Sequence, residues 1–140
     1  MGTLTSSQEH YLKAIFTLSS TSGFTRICDV AEELDVRKPS VCTAVKTLEN
    51  MGLVKRDVHR QIILTPNGEN QAYLIMNKLS IVRCYFIEVL GIDKDAAELD
   101  ACAIENVLSN ETLCSMCRQT GKDICSEDCY LKIETELREA

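Results

Sequence analysis

The chain contains no tryptophan, few other aromatic residues and only two histidines, His10 and His59. A chain this poor in histidine offers little from which to build a nucleophile–base pair. It shows no phosphate-cradling loop and no paired-carboxylate arrangement either, so the expectation is a protein that is not an enzyme. It lacks any run approaching the roughly 18 apolar residues a bilayer crossing needs. Its start, Met1-Gly2-Thr3-Leu4-Thr5, has no basic segment leading into an apolar one. A cytoplasmic protein without a membrane partner is therefore expected.

Cysteine, by contrast, is abundant, with eight residues among 140. In a reducing compartment such a count points to metal, cluster or redox use rather than to a disulfide framework. The net charge of −6 is unevenly spread. Residues 1–66 carry eight Lys/Arg against seven Asp/Glu, whereas residues 67–140 carry seven against fourteen. A local basic stripe matters more for phosphate binding than the whole-chain balance. One lies between residues 35 and 60, where Arg37, Lys38, Lys46, Lys55, Arg56 and Arg60 stand against Asp35, Glu49 and Asp57.

The N-terminal half reads as three helices and a hairpin. Ser6-x-x-Glu9 has the spacing of a capping box, and Tyr11, Leu12, Ile15, Phe16 and Leu18 give helix 1 an apolar face. Thr25 suits the N-cap of helix 2, whose Ile27, Val30, Ala31 and Leu34 repeat at helical spacing. Pro39 sits where a first-turn proline is tolerated. Helix 3 follows with Val41, Ala44, Val45 and Leu48, and Gly52 closes it. Its other face, Ser40, Thr43, Lys46, Thr47 and Asn50, is short, polar or basic, as a helix entering a major groove requires. Leu53–Arg56 and Gln61–Leu64 are β-like runs joined by Asp57-Val58-His59-Arg60, a basic hairpin that completes a winged helix-turn-helix. The competing reading is a plain helical bundle with a solvated polar face.

Thr65-Pro66-Asn67-Gly68 punctuates the chain. A long helix is expected from about Glu69 to Leu90, with Ala72, Ile75, Met76, Leu79, Val82, Phe86 and Val89 recurring every three or four positions. It is apolar enough for a dimer interface, although packing within one chain would use it too. A further helix is expected over about Asp95–Leu108. Cys28, Cys42 and Cys84 lie within helices and read as packing residues.

At this point the sequence resembles the diphtheria-toxin-repressor family of iron- and manganese-dependent regulators. The resemblance is carried by Glu9-His10-Tyr11-Leu12-Lys13-Ala14-Ile15, Asp29-Val30-Ala31-Glu32-Glu33-Leu34 and Pro39-Ser40-Val41. It continues through Leu48-Glu49-Asn50-Met51-Gly52-Leu53-Val54, Leu64-Thr65-Pro66-Asn67-Gly68 and Val89-Leu90-Gly91-Ile92, and ends at Cys102-Ala103-Ile104-Glu105-Asn106-Val107-Leu108-Ser109. It implies a mainly α protein of the short two-domain type, without the SH3-like domain some members carry. Residues 1–66 would form the winged helix-turn-helix, and residues 67–140 the helical dimerisation and metal-binding domain. Such a protein binds double-stranded DNA as a homodimer on a palindromic operator, with a divalent transition metal as effector and no other small-molecule substrate.

The expected DNA-binding residues are Arg37, Lys38, Pro39, Ser40, Thr43 and Lys46, with Arg56, His59 and Arg60 in the wing. The resemblance places metal ligands at His10, Cys102 and Glu105. Asn106 stands where the family has a histidine, and Lys13 replaces an acid of the manganese type. Leu79, Ser80 and Arg83 stand where the family's long helix carries a histidine and an acid, and a cation at Arg83 opposes a second metal nearby. If His10 and Cys102 are not ligands, they are a surface residue and a small buried one.

Beyond the resemblance, Cys114-x2-Cys117-x7-Cys125-x3-Cys129 places four thiols within residues 114–129. Such spacing suits tetrahedral Zn(II) or an iron–sulfur cluster, or leaves thiols that oxidise. The segment has little apolar content, so a metal is expected to fold it. A cluster would make the chain an iron–sulfur or thiol redox sensor using the same winged helix. A winged helix that binds protein rather than DNA is the third alternative.

Overall fold

The structure, a computed structural model, describes residues 4–121. Along them run α1 (Ser6–Ser19), α2 (Ile27–Leu34), α3 (Lys38–Asn50), β1 (Val54–Arg56), β2 (Ile62–Leu64), α4 (Pro66–Glu88), α5 (Lys94–Ile104) and α6 (Asn110–Gln119). The fold is mainly helical with an antiparallel hairpin, as expected. The chain divides into two compact units, Met1–Tyr73 and Leu74–Ala140, and the division falls inside α4.

In the first unit α1, α2 and α3 pack on one another, and α1 and α3 also pack on the hairpin. Leu12, Ile15, Val30, Val41, Val45, Leu48 and Ile62 are fully buried and form its centre. Apart from Ile62 of β2, these are positions the helical repeats select, because residues three and four apart share a helix face. Phe16 meets Tyr73 edge to face at 5.1 Å.

Two expected caps shift. The capping box of α1 is Thr5–Gln8, not Ser6–Glu9. The Thr5 hydroxyl accepts from the Gln8 amide at 3.2 Å, and the Thr5 amide donates to Gln8 Oε1 at 2.9 Å. Both registers satisfy the motif, and here Glu9 turns inward and is buried. Arg26 rather than Thr25 precedes α2. Thr25 is instead taken by a long-range antiparallel bridge, its amide donating to Ile62 O at 3.0 Å and its carbonyl accepting from the Ile62 amide at 2.8 Å. Sheet pairing outcompetes the local cap. Cys28 and Cys42 are exposed on the outward faces of α2 and α3, so they are not packing residues.

Thr65-Pro66-Asn67-Gly68 starts a helix rather than interrupting the chain. The Thr65 hydroxyl accepts from the Gly68 amide at 3.1 Å and donates to Gly52 O at 2.6 Å, while its amide donates to Leu53 O at 3.0 Å. Pro66 occupies the first helical position, where its missing N–H costs nothing. Gly52, at φ +75°, adopts the left-handed conformation that lets the chain leave α3.

The second unit centres on Leu74, Leu79, Ile81, Val82, Ala101 and Leu113 together with Cys117. Here α4 ends at Glu88 and α5 at Ile104, both short of the expected ends, and α6 follows unanticipated. Ser109 caps α6 through Thr112, and Leu113 and Cys117, four apart, bury its inner face. Among the described residues this segment is helical and packed on the core, so an apolar anchor is present where a metal was expected to do the folding.

Gly68 has no room for a side chain: a Cβ there would collide with the Leu53 carbonyl. Gly68→Ala is expected to lose about 1–3 kcal/mol of stability in urea unfolding, the cost of overpacking a filled site. Asn67→Ala, at an exposed neighbouring position, should stay within about 0.5 kcal/mol of the parent.

Candidate nucleic-acid interface and metal-ligand cluster

The second helix of the helix-turn-helix pair, α3, buries Val41, Val45 and Leu48 and turns the rest of its surface outward. The turn before it runs through Asp35 in the left-handed conformation, with Val36 donating to Ala31 O at 3.0 Å. Lys38, Pro39, Ser40, Thr43 and Lys46 are all exposed, and no acid lies between Lys38 and Leu48. Arg37 caps α3 without a side-chain hydrogen bond. The positive end of the helix dipole therefore stands beside two cationic side chains, Arg37 and Lys38, an arrangement that attracts phosphate. Thr43 donates its hydroxyl proton to Pro39 O at 3.0 Å, which fixes its rotamer and leaves a methyl group and an acceptor facing out. A methyl and a small hydroxyl are the groups that contact thymine methyls and base edges.

The hairpin pairs Val54 with Leu64, Lys55 with Ile63 and Arg56 with Ile62. Its tip is organised by Asp57, which sequence reasoning counted only as an opposing charge. Asp57 Oδ1 accepts from the amides of His59 and Gln61, each at 2.9 Å. That turn holds Arg60 at φ +60° and projects His59, Arg60 and Val58, the last 92% exposed. An aspartate opening a short polar connection is the available signal for such a turn. Arg56 is half-buried at the base, and its Nε finds no hydrogen-bond partner.

In the second unit α5 carries Glu98, Cys102 and, at its cap, Glu105. The Glu105 backbone is still helical, its amide donating to Ala101 O at 3.0 Å, so Cys102 and Glu105 share one face. Glu105 is only 2% exposed, and its buried Oε2 finds no hydrogen-bond partner. An uncompensated buried carboxylate oxygen beside a half-buried thiol fits a divalent cation by donor chemistry. Asn106, which the resemblance sets beside it, is half-buried in the turn that follows.

Glu98, which sequence reasoning passed over, is paired differently. Its Oε2 accepts from Arg83 of α4 at 2.9 Å, and its Oε1 lies 3.8 Å from the Cys102 sulfur. The Arg83 guanidinium is held above its ordinary value, first by this hydrogen bond and against some desolvation, with Cys84 and Cys102 adding weaker attraction. The pairing of a lone arginine on one helix with a carboxylate on the next has no local sequence signal.

Of the remaining expected ligands, His10 is exposed on α1 of the first unit. Among the described residues no three His, Cys, Asp or Glu side chains converge into a metal-holding group. Cys114 and Cys117 lie on α6, Cys117 buried in the core and Cys114 half-buried against it. Cys125 and Cys129 lie outside the described residues. Among the described residues no helix is long and apolar enough to cross a membrane.

Residues 3–61 match the family described as iron dependent repressor, N-terminal DNA binding domain, and residues 65–125 match iron dependent repressor, metal binding and dimerisation domain. A transcriptional regulator MntR of Listeria welshimeri is 30% identical over 105 residues, covering 75% of this chain and 73% of that one. An uncharacterized helix-turn-helix regulator of Methanocaldococcus jannaschii is 28% identical over 111 residues, covering 79% of this chain and 89% of the other. The crystal structure of IdeR of T. acidophilum superposes with TM-score 0.74 at 23% identity over 88% of this chain, which spans 57% of IdeR. A manganese-dependent transcriptional repressor solved with manganese gives TM-score 0.73 at 21% identity, covering 81% of this chain and 52% of that one. At these identities the solved structures establish the fold.

The unsatisfied Glu105 Oε2 should weigh against the metal-free protein. Glu105→Leu is expected to raise its stability by about 1–3 kcal/mol in urea unfolding, the usual cost of a buried unsatisfied polar group. Unchanged or lower stability would mean that the carboxylate is compensated.

Proposed function

Because the chain belongs to the iron dependent repressor family, we propose that it is a homodimeric, metal-responsive DNA-binding transcription regulator of the cytoplasm, and a repressor. The observation that carries this reading is the outward face of α3, exposed and acid-free from Lys38 to Leu48 beside a cationic wing. Ser40 and Thr43 read base edges. Arg37, Lys38 and Lys46, with Arg56, His59 and Arg60 in the wing, neutralise phosphate, and Pro39 sets the first turn that brings them there.

Dimerisation is supported by apolar surface on the second unit, where Leu90, Leu99 and Val107 are each more than half exposed although the unit has a filled core of its own. A two-fold dimer matches two half-sites about one helical turn apart. The effector is a divalent transition metal held by Cys102 and Glu105. Two parts of the metal reading rest on sequence alone, namely His10 as a ligand and a second site at Cys114, Cys117, Cys125 and Cys129, for which Zn(II) is the reading kept here. Cys102 and Glu105 would hold a dication that supplies the countercharge the buried carboxylate lacks, and such binding would favour dimer geometries that fit the operator. Protein atoms do the rest: α3 positions the base-reading side chains and the Asp57 turn positions the wing.

The decisive experiment selects bound sequences from a random DNA pool with and without added Mn(II), Fe(II) or Zn(II). Enrichment of a palindrome only with metal is expected. Lys46→Ala and Arg60→Ala should each weaken binding to every sequence and reduce the slope of log affinity against log salt by about 0.9, one phosphate contact apiece. Thr43→Ala should instead change which sequences are selected. If the Lys46→Ala/Arg60→Ala double variant binds DNA as well as the parent, this face is not the DNA interface.

A further inference from the structure

The Glu98 carboxylate is shared. One oxygen takes a hydrogen bond from Arg83 at 2.9 Å, and the other lies 3.8 Å from the sulfur of Cys102, one turn along the same helix. Both members of the ion pair are partly exposed, the side chains at 37% and 44%. Pairs exposed to this degree contribute little to stability. The unit also has an apolar core that already joins α4, α5 and α6. The consequence of the pair is therefore local: it occupies Glu98.

A carboxylate and a thiol one turn apart are donors that a divalent transition ion takes up together. The group now holding that carboxylate is a guanidinium, which stays protonated and so cannot yield its place by losing a proton. An incoming dication meets a fixed positive charge at the carboxylate it needs. We propose that Arg83 is a built-in competitor for metal in this unit, and that recruiting Glu98 to a divalent ion held at Cys102 and Glu105 requires the guanidinium to let go of Glu98. In that exchange the Arg83–Glu98 hydrogen bond breaks and the guanidinium passes to water. The Cys102 thiol gives its proton to solvent, and the ion gains a carboxylate and a thiolate. Arg83 thus sets the affinity threshold of the unit, and it does so from a helix that supplies no ligand to this pair. The inference deepens the metal-responsive reading above and rests on it.

The test uses the full chain, reduced and free of oxygen, titrated with Co(II) alone. Affinity is measured against a competing chelator, and thiolate ligation is read from the thiolate-to-cobalt charge-transfer absorbance. Arg83→Gln is expected to bind Co(II) about tenfold tighter than the parent and to gain charge-transfer absorbance. Arg83→Lys keeps the cation and should stay near the parent. Arg83→Gln/Cys102→Ser should lose the gained absorbance, while any contribution from other thiols remains common to all variants. Arg83→Met, which retains the apolar stem, serves in place of the glutamine variant if that one loses its helical circular dichroism. A parent that binds cobalt while Arg83→Gln binds it no tighter overturns the competition and leaves the metal-responsive reading standing. A gain that persists after Cys102→Ser also overturns it. If neither the parent nor Arg83→Gln takes up cobalt, both readings fall.

Discussion

The first unit depends on the meeting of the exit of α3 with the start of α4. Gly52 and Leu53 offer their carbonyls there to the hydroxyl and amide of Thr65, and the same hydroxyl caps α4 through Gly68. One threonine side chain thus ends one connection and begins another. The approach is so close that Gly68 has no room for a side chain against Leu53. Between these points the chain must go out and back in few residues, and the hairpin is what that constraint leaves possible. The bridge from Thr25 to Ile62 then ties the second strand to the segment before α2. The wing is consequently anchored at its base by backbone hydrogen bonds, and its tip is free to carry charge.

That division of labour explains how little the tip needs from its own residues. A single carboxylate, Asp57, satisfies two amides and sets the turn. Val58, His59 and Arg60 have no packing duty and stand out into solvent. α3 follows the same logic. Its inner face is spent on Val41, Val45 and Leu48, and the outer face has only to avoid acids and bulk. An aspartate near the uncapped N-terminus of α3 would stabilise the helix through its dipole but repel phosphate. Arg37 at the cap, without a side-chain hydrogen bond, keeps that terminus electropositive, as the proposed phosphate contact requires.

The helical pattern was legible because a helix face is a local property. Val41, Val45 and Leu48 announce their burial by spacing alone, and so do Ile75, Leu79 and Val82 of the long helix. The two-strand hairpin was legible from short β-like runs around a polar connection. What local pattern cannot contain is competition from residues far along the chain. Thr25 has a cap's chemistry but is captured by Ile62, and Thr5 and Ser6 both satisfy a capping rule that only tertiary burial of Glu9 decides. α6 escaped notice because its anchoring apolar residues are few, and one of them, Cys117, reads as a ligand before it reads as core. The candidate cluster was half legible. Cys102 and Glu105 stand out by helical spacing, whereas Glu98 gains meaning only once Arg83 is found against it.

Two carboxylates of α5 are treated in opposite ways, and the contrast bears on how a cation could act here. Glu98 is partly exposed and already answered by an internal cation. Glu105 is buried, and its Oε2 finds no hydrogen-bond partner among the described residues. Water screens the first cheaply, and an arginine long enough to reach it suffices. The second lies where water does not reach, so the energetic gain from an added positive charge is largest there. An ion binding near Cys102 would therefore take its stabilisation from Glu105, and it would meet resistance from the Arg83 pair on the other side of the same thiol. Affinity that is neither maximal nor absent is what a sensor requires, because a site that is always filled reports nothing. If a cation binds at Cys102 as proposed, the opposition of the unsatisfied Glu105 oxygen and the resident Arg83 guanidinium would be a physical means of setting that intermediate value.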